Sequence, residues 1–155
     1  MKRADYDELD SPDGVTYYWL DSPGQLFTGI AYQMRPEGQL WSETQFLDGR
    51  EHGPSRSWFS SGQIEAETTY YNGLTYGPDR EWDEAGQLRR EAFLEYGFRV
   101  REKKWDEAGR LTEEYEMPQD HPNYSLLQKF RAAYGVDPRF GPISKETKSS
   151  TEEGS

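Results

Sequence analysis

Arg80-Glu81-Trp82-Asp83-Glu84-Ala85-Gly86-Gln87-Leu88-Arg89-Arg90-Glu91 sets two alternating polar and apolar runs on either side of Glu84-Ala85-Gly86. A three-residue loop with glycine last is a common antiparallel connection, because that position needs a positive φ that glycine adopts without strain. The stretch therefore predicts a β-hairpin. Its register sets Trp82 opposite Leu88 and Glu81 opposite Arg89. Applied elsewhere, the same register sets Met34 opposite Leu40, Trp58 opposite Ile64, Trp105 opposite Leu111 and Asp106 opposite Arg110. Cross-strand pairs of these kinds are worth roughly 0.2–1 kcal/mol each.

The hairpin recurs. Gly-Gln-Leu or a near relative stands at Gly24, Gly38, Gly62, Gly86 and Gly109, and from Gly38 on the spacings are 24, 24 and 23 residues. A large apolar residue lies four before the phrase glycine (Met34, Trp58, Trp82, Trp105), and a Glu five after it (Glu43, Glu67, Glu91, Glu114). A bulky apolar residue lies eight after it (Phe46, Tyr70, Leu94, Met117). A fixed period of this size marks a repeat protein. Residues 29–52, 53–76 and 77–100 are full units; a fourth opens at Arg101, where the leading glycine is lost, and a shorter one begins near Gly14.

Units are joined by a second turn. Asp48-Gly49 and Asn72-Gly73 are favoured two-residue hairpin pairs, and Tyr96-Gly97 fills the equivalent place. The expected fold is all-β: an open, curved antiparallel meander of about eight or nine strands over residues 14–117. A period of two separates the faces. One carries Met34, Leu40, Phe46, Trp58, Ile64, Tyr70, Trp82, Leu88, Leu94, Trp105, Leu111 and Met117, and is read as the core. The other is polar and rich in Glu, with Trp41, Phe59 and Phe93 among the carboxylates. Residues 1–13 read as a flexible acidic segment. Residues 118–143 hold a short helix whose Leu127, Phe130 and Tyr134 share one side, expected to cap the exposed end of the array. Residues 144–155 read as a disordered polar tail.

The 155 residues bring a net charge of -11, no Cys, and 15% aromatic residues against a mean hydropathy of -1.08. The core is thus expected to be thin and built from aromatics. The acidity disfavours nucleic acid and anionic membranes and favours a basic protein partner. The absence of cysteine fits a reducing compartment. Neither a leader's apolar region nor a run of about 18 apolar residues is present, so a cytoplasmic location is expected. No phosphate loop, nucleophile elbow or metal-ligand spacing is found. His52 and His121 read as structural. The expectation is a protein without catalytic residues, cofactor or metal, monomeric when free. Its partner-binding residues are expected on the polar face: Trp41, Glu43, Phe59, Glu65, Glu67, Glu91 and Phe93.

Phe27-Thr28-Gly29, the run from Gly53-Pro54 through Gly62-Gln63-Ile64, and Tyr71-Asn72-Gly73-Leu74-Thr75-Tyr76-Gly77 resemble MORN-type repeats, specifically those of the YwqK family of antitoxin-like proteins. The resemblance covers about two thirds of the chain. It implies a hairpin-repeat fold and an immunity protein that binds and blocks a toxin domain, such as a nuclease or deaminase. The alternative is a repeat scaffold that assembles other proteins through its sheet or its edges.

Overall fold

The computed structural model describes residues 1–135. Its strands in chain order are β1 (Arg3–Asp5), β2 (Leu9–Asp10), β3 (Tyr18–Trp19), β4 (Gly29–Met34), β5 (Leu40–Leu47), β6 (Arg50–Trp58), β7 (Ile64–Tyr71), β8 (Leu74–Trp82), β9 (Leu88–Glu95), β10 (Phe98–Trp105) and β11 (Leu111–Glu116). One helix, α1 (Tyr124–Tyr134), follows. Strands β4 to β11 run as an antiparallel meander, and β1 joins β4 in parallel to complete one open sheet of nine strands. The pair β2 and β3 forms a separate ribbon.

Both turn types form as the sequence requires. In the hairpin loops Gly86 N–H bonds to Asp83 O at 2.9 Å, and Asp83 N–H to Gln87 O at 3.0 Å. Gly86 takes φ +84°. The Asp83 carboxylate accepts from Ala85 and Gln87 N–H, and Asp106 does the same for Ala108 and Arg110. At the joins between units both loop residues are left-handed: Asp48 and Gly49 at +48° and +78°, Asn72 and Gly73 at +50° and +84°, Tyr96 and Gly97 at +51° and +82°. Each join glycine also donates its N–H one unit back: Gly49 to Phe27 O, Gly73 to Glu51 O, Gly97 to Thr75 O. These bonds couple each unit to its neighbour at the join end of the sheet.

The expected pairs Met34 with Leu40, Trp58 with Ile64, Trp82 with Leu88 and Trp105 with Leu111 all form. Glu81, however, meets Arg90 rather than Arg89. Every hairpin carries a one-residue bulge just inside this apolar pair, with Trp41, Glu65, Arg89 or Thr112 as the extra residue. A bulge sets two residues against one and breaks simple alternation. The apolar pairs beyond it therefore lie on the face of Glu67 and Arg56, not on that of Phe46 and Tyr70. The twelve-residue core face expected from the sequence is split between the two sides.

The core sits at the ends of the array instead. Ala4, Phe27, Ala31 and Phe46 are buried together, with Tyr6, Leu9, Tyr17 and Trp19 against them. Tyr76, Tyr96, Met117 and Leu127 form the second cluster, supported by Tyr71, Phe98, Tyr115 and Phe130. Of the expected core list, only Phe46 and Met117 are buried; Met34 and Leu111 remain 41% and 48% exposed. A single-layer sheet buries apolar surface only where something covers it, and the two caps cover its ends.

The first cap corrects the reading of residues 1–13 as flexible. Arg3–Asp5 pairs with β4, and Asp5 caps a 3₁₀ turn (Tyr6–Glu8): its carboxylate accepts from Asp7 N–H, and its own N–H donates to the Glu8 carboxylate. The short leading unit forms only a rudimentary hairpin, with Tyr18 bridged to Leu26, packed outside the nine-stranded sheet. At the other end α1 forms as expected and buries Leu127. Tyr134 is 72% exposed. Arg131 Nε donates to Glu95 Oε1 at 2.9 Å beneath the helix. Residues 136–143 of the expected cap and the 144–155 tail lie outside the described residues.

Candidate functional site

Cross-strand register places Tyr32, Glu43, Arg56, Glu67, Arg80, Glu91, Lys103 and Glu114 in one row across eight strands. From Glu43 on, the signs alternate at every step. Arg56 Nε reaches Glu67 Oε2 at 2.7 Å, and Arg80 reaches Glu91 at 2.7 Å and Glu67 at 3.5 Å. Lys103 and Glu114 stand 3.7 Å apart, and Arg3 of β1 closes the other end on Glu43. The invariant Glu five after each phrase glycine is one half of this ladder. The basic half recurs six before the glycine, at Arg56, Arg80 and Lys103; the sequence reading missed that equally regular offset.

The ladder changes the meaning of the expected site. Glu43, Glu67, Glu91 and Phe93 do share a face, but the three carboxylates are internally neutralised. Phe93 carries Arg101 over its ring, 5.1 Å from the centroid. Trp41 and Glu65 occupy the bulge position and turn to the opposite face, where Ser57 Oγ donates to Glu65 Oε2 at 3.4 Å. Trp41 is 40% exposed and lies beneath Arg35, 5.2 Å from the ring centroid. Phe59 belongs to a hairpin loop, donating its N–H to Gln63 O at 2.9 Å. The seven residues are thus not one patch.

The ladder face also carries the hairpin-end row, Met34 with Leu40, Trp58 with Ile64, Trp82 with Leu88 and Trp105 with Leu111; Met34 and Leu111 are exposed, and the indoles between them are half-buried. None of these residues belongs to either buried cluster. Leu40 and Trp58 share a shallow depression of about 450 Å³ with the Phe59 loop. Beside the row, Glu37, Glu84 and Glu107 stand exposed in their loops with no ion pair among the described residues.

The opposite face carries a second ion network. Arg90 binds Asp79 at 2.9 Å, Glu81 at 3.3 Å and the buried Glu102 at 2.7 Å. Arg99 joins Glu102 at 3.0 Å, and Lys104 joins Glu113 at 3.0 Å. Glu81, Arg90, Arg99, Glu102 and Lys104 of this network line an open depression of about 750 Å³, but its cations are already matched by carboxylates.

Beneath the first cap, Glu51 sits half-buried near Tyr6, Tyr17 and Tyr70. Burial raises the Glu51 carboxyl above the ordinary range, and burial pushes the Tyr6 phenol up to about 12. Asp13, held by N–H groups of Thr16 and Val15, is lowered to about 2.

His52 Nδ1 accepts from Asn72 N–H at 3.2 Å, and its ring packs on Tyr71 at 4.9 Å. His121 Nδ1 accepts from Asn123 N–H at 3.1 Å. Both brace turns. Among the described residues no three His, Asp or Glu side chains are grouped to hold a metal ion, and no helix is long and apolar enough to cross a membrane. No protein-family model matches the chain, and neither a curated protein nor a solved structure does.

Proposed function

We propose that this chain is a non-catalytic binding protein that holds and neutralises a basic protein partner, a toxin domain such as a nuclease or deaminase, in the cytoplasm. The observation that carries the reading is the hairpin-end row of indoles and aliphatic side chains, repeated over four units and covered by neither cap. Large aromatic side chains are the residue type from which binding hot spots are most often built. The unpaired Glu37, Glu84 and Glu107 beside the row, and the net charge of -11, supply the field that steers a basic partner. The antitoxin role itself comes from the resemblance to the YwqK family.

Relative to the sequence reading, the proposed binding residues move from Trp41, Phe59, Phe93 and the carboxylates Glu43, Glu65, Glu67 and Glu91 to Trp58, Trp82 and Trp105. The test is co-purification of the tagged full chain from its native host at moderate salt, with mass spectrometry of what is retained. A stoichiometric basic toxin domain is the expected result; recovery of the chain alone would count against it. One feature favours a second reading, a scaffold for assembly: among the described residues β11 has a strand partner on one side only.

A further inference from the structure

The charge ladder has a direction. The two inner acidic rungs each meet a basic residue of their own hairpin and another on the next: Glu67 takes Arg56 and Arg80, and Glu91 stands between Arg80 and Lys103. Glu114 is the last rung. It meets Lys103 on β10, and on its outer side no strand follows among the described residues. Glu113 and Glu114 are 64% and 60% exposed.

The opposite edge shows how this sheet accepts an additional strand. There β1 lies along β4 and brings Arg3 onto Glu43, the first acidic rung. Arg3 also stacks over Tyr32, 5.4 Å from the ring centroid. An extended segment carrying one arginine has thus been added to the sheet by main-chain pairing and one ladder contact.

We propose that the open edge of β11 takes an extended, basic segment of a partner protein by antiparallel strand addition, with Arg or Lys opposite Glu114. Main-chain bonds supply the affinity and the ladder supplies register and sign. In the three units that show the rule, the basic residue is followed two positions on by Trp: Arg56 and Trp58, Arg80 and Trp82, Lys103 and Trp105. A Trp or similar residue two positions after the cation would extend the apolar row onto Leu111. A second copy of the chain fits poorly, because two β11 edges in antiparallel array would set Glu113, Glu114 and Glu116 against each other. This inference concerns an edge, and it stands whether or not the indole row binds a toxin.

The probe is a synthetic nine-residue peptide with the sequence of β8, Leu74–Trp82, whose Arg80 already serves Glu67 and Glu91. Titrated into the isotope-labelled full chain, it is expected to shift and protect the amides of β11 while leaving β5 to β8 unchanged. Glu114→Arg is exposed enough to leave the fold intact, and it is expected to weaken the peptide at least tenfold. A peptide with Arg80→Glu should recover that loss on the variant. Shifts located elsewhere, no binding at millimolar peptide, or equal affinity for all four combinations would overturn the proposal. So would sedimentation showing that the edge is occupied by a second copy.

Discussion

Arg90 and Glu102 are the two hubs of the second ion network, each with three partners of opposite charge. Arg90 binds three carboxylates, and one of them, Glu102, is only 5% exposed. Removing one partner from a buried ionic group is costly because the other charge is left in a poor solvent. Arg90→Ala is therefore expected to destabilise the chain by about 3 kcal/mol in urea titration. Arg99 and Lys104 still stand beside Glu102, which keeps the loss short of complete unfolding. Removing Arg80 from the more exposed ladder should cost only about 1 kcal/mol. Glu51 makes the opposite case. Its folded-state pKa is raised by burial, so the folded form prefers the proton. Its contribution is favourable below the ordinary glutamate pKa and is lost as pH rises through the raised value. Glu51→Gln should accordingly raise the melting temperature at pH 7, and the gain should vanish near pH 4. A gain that persists at low pH would mean the charge is not the cause.

At the scale of elements, what the sequence made legible was whatever a single position dictates. The left-handed glycines, the two turn types and the four apolar pairs follow from local chemistry, and each formed. The bulge did not announce itself, because its extra residue is Trp, Glu, Arg or Thr in successive units, with no shared property to mark it. One inserted residue was enough to move the apolar pairs to the other face and to scatter Trp41 and Glu65 from Glu43, Glu67 and Glu91. The ladder was half legible: its Glu period was seen, and its Arg and Lys period was present in the same alignment but went unread. β1 left no signal, since three residues in an acidic leader carry no periodicity. The helix was legible from spacing, and its weight is testable. Leu127 is fully buried in the second cluster, so Leu127→Ala should cost about 2–5 kcal/mol and expose the join-end aromatics. Hydrogen exchange should show the loss concentrated in β9 to β11, with β4 to β6 spared, because contacts in such an array are mainly between neighbours.

The whole molecule is a thin sheet held at its two ends by small aromatic cores and across its middle by ion pairs. That division leaves a long row of half-buried indoles and aliphatic side chains outside both caps, with unpaired carboxylates beside it. A partner attracted by those carboxylates should associate more slowly as salt rises, since the Debye length falls from about 10 Å at 0.1 M to about 3 Å at 1 M. Stopped-flow measurement of the association rate would show it. The most direct test is calorimetric titration of the co-purified partner against the chain carrying Trp58→Ala, Trp82→Ala and Trp105→Ala together, with circular dichroism confirming that the sheet is retained. Loss of affinity by about a hundredfold or more, against little change for Glu65→Lys, is the expected result. Unchanged affinity in the triple variant would contradict the assignment of the indole row as the binding surface.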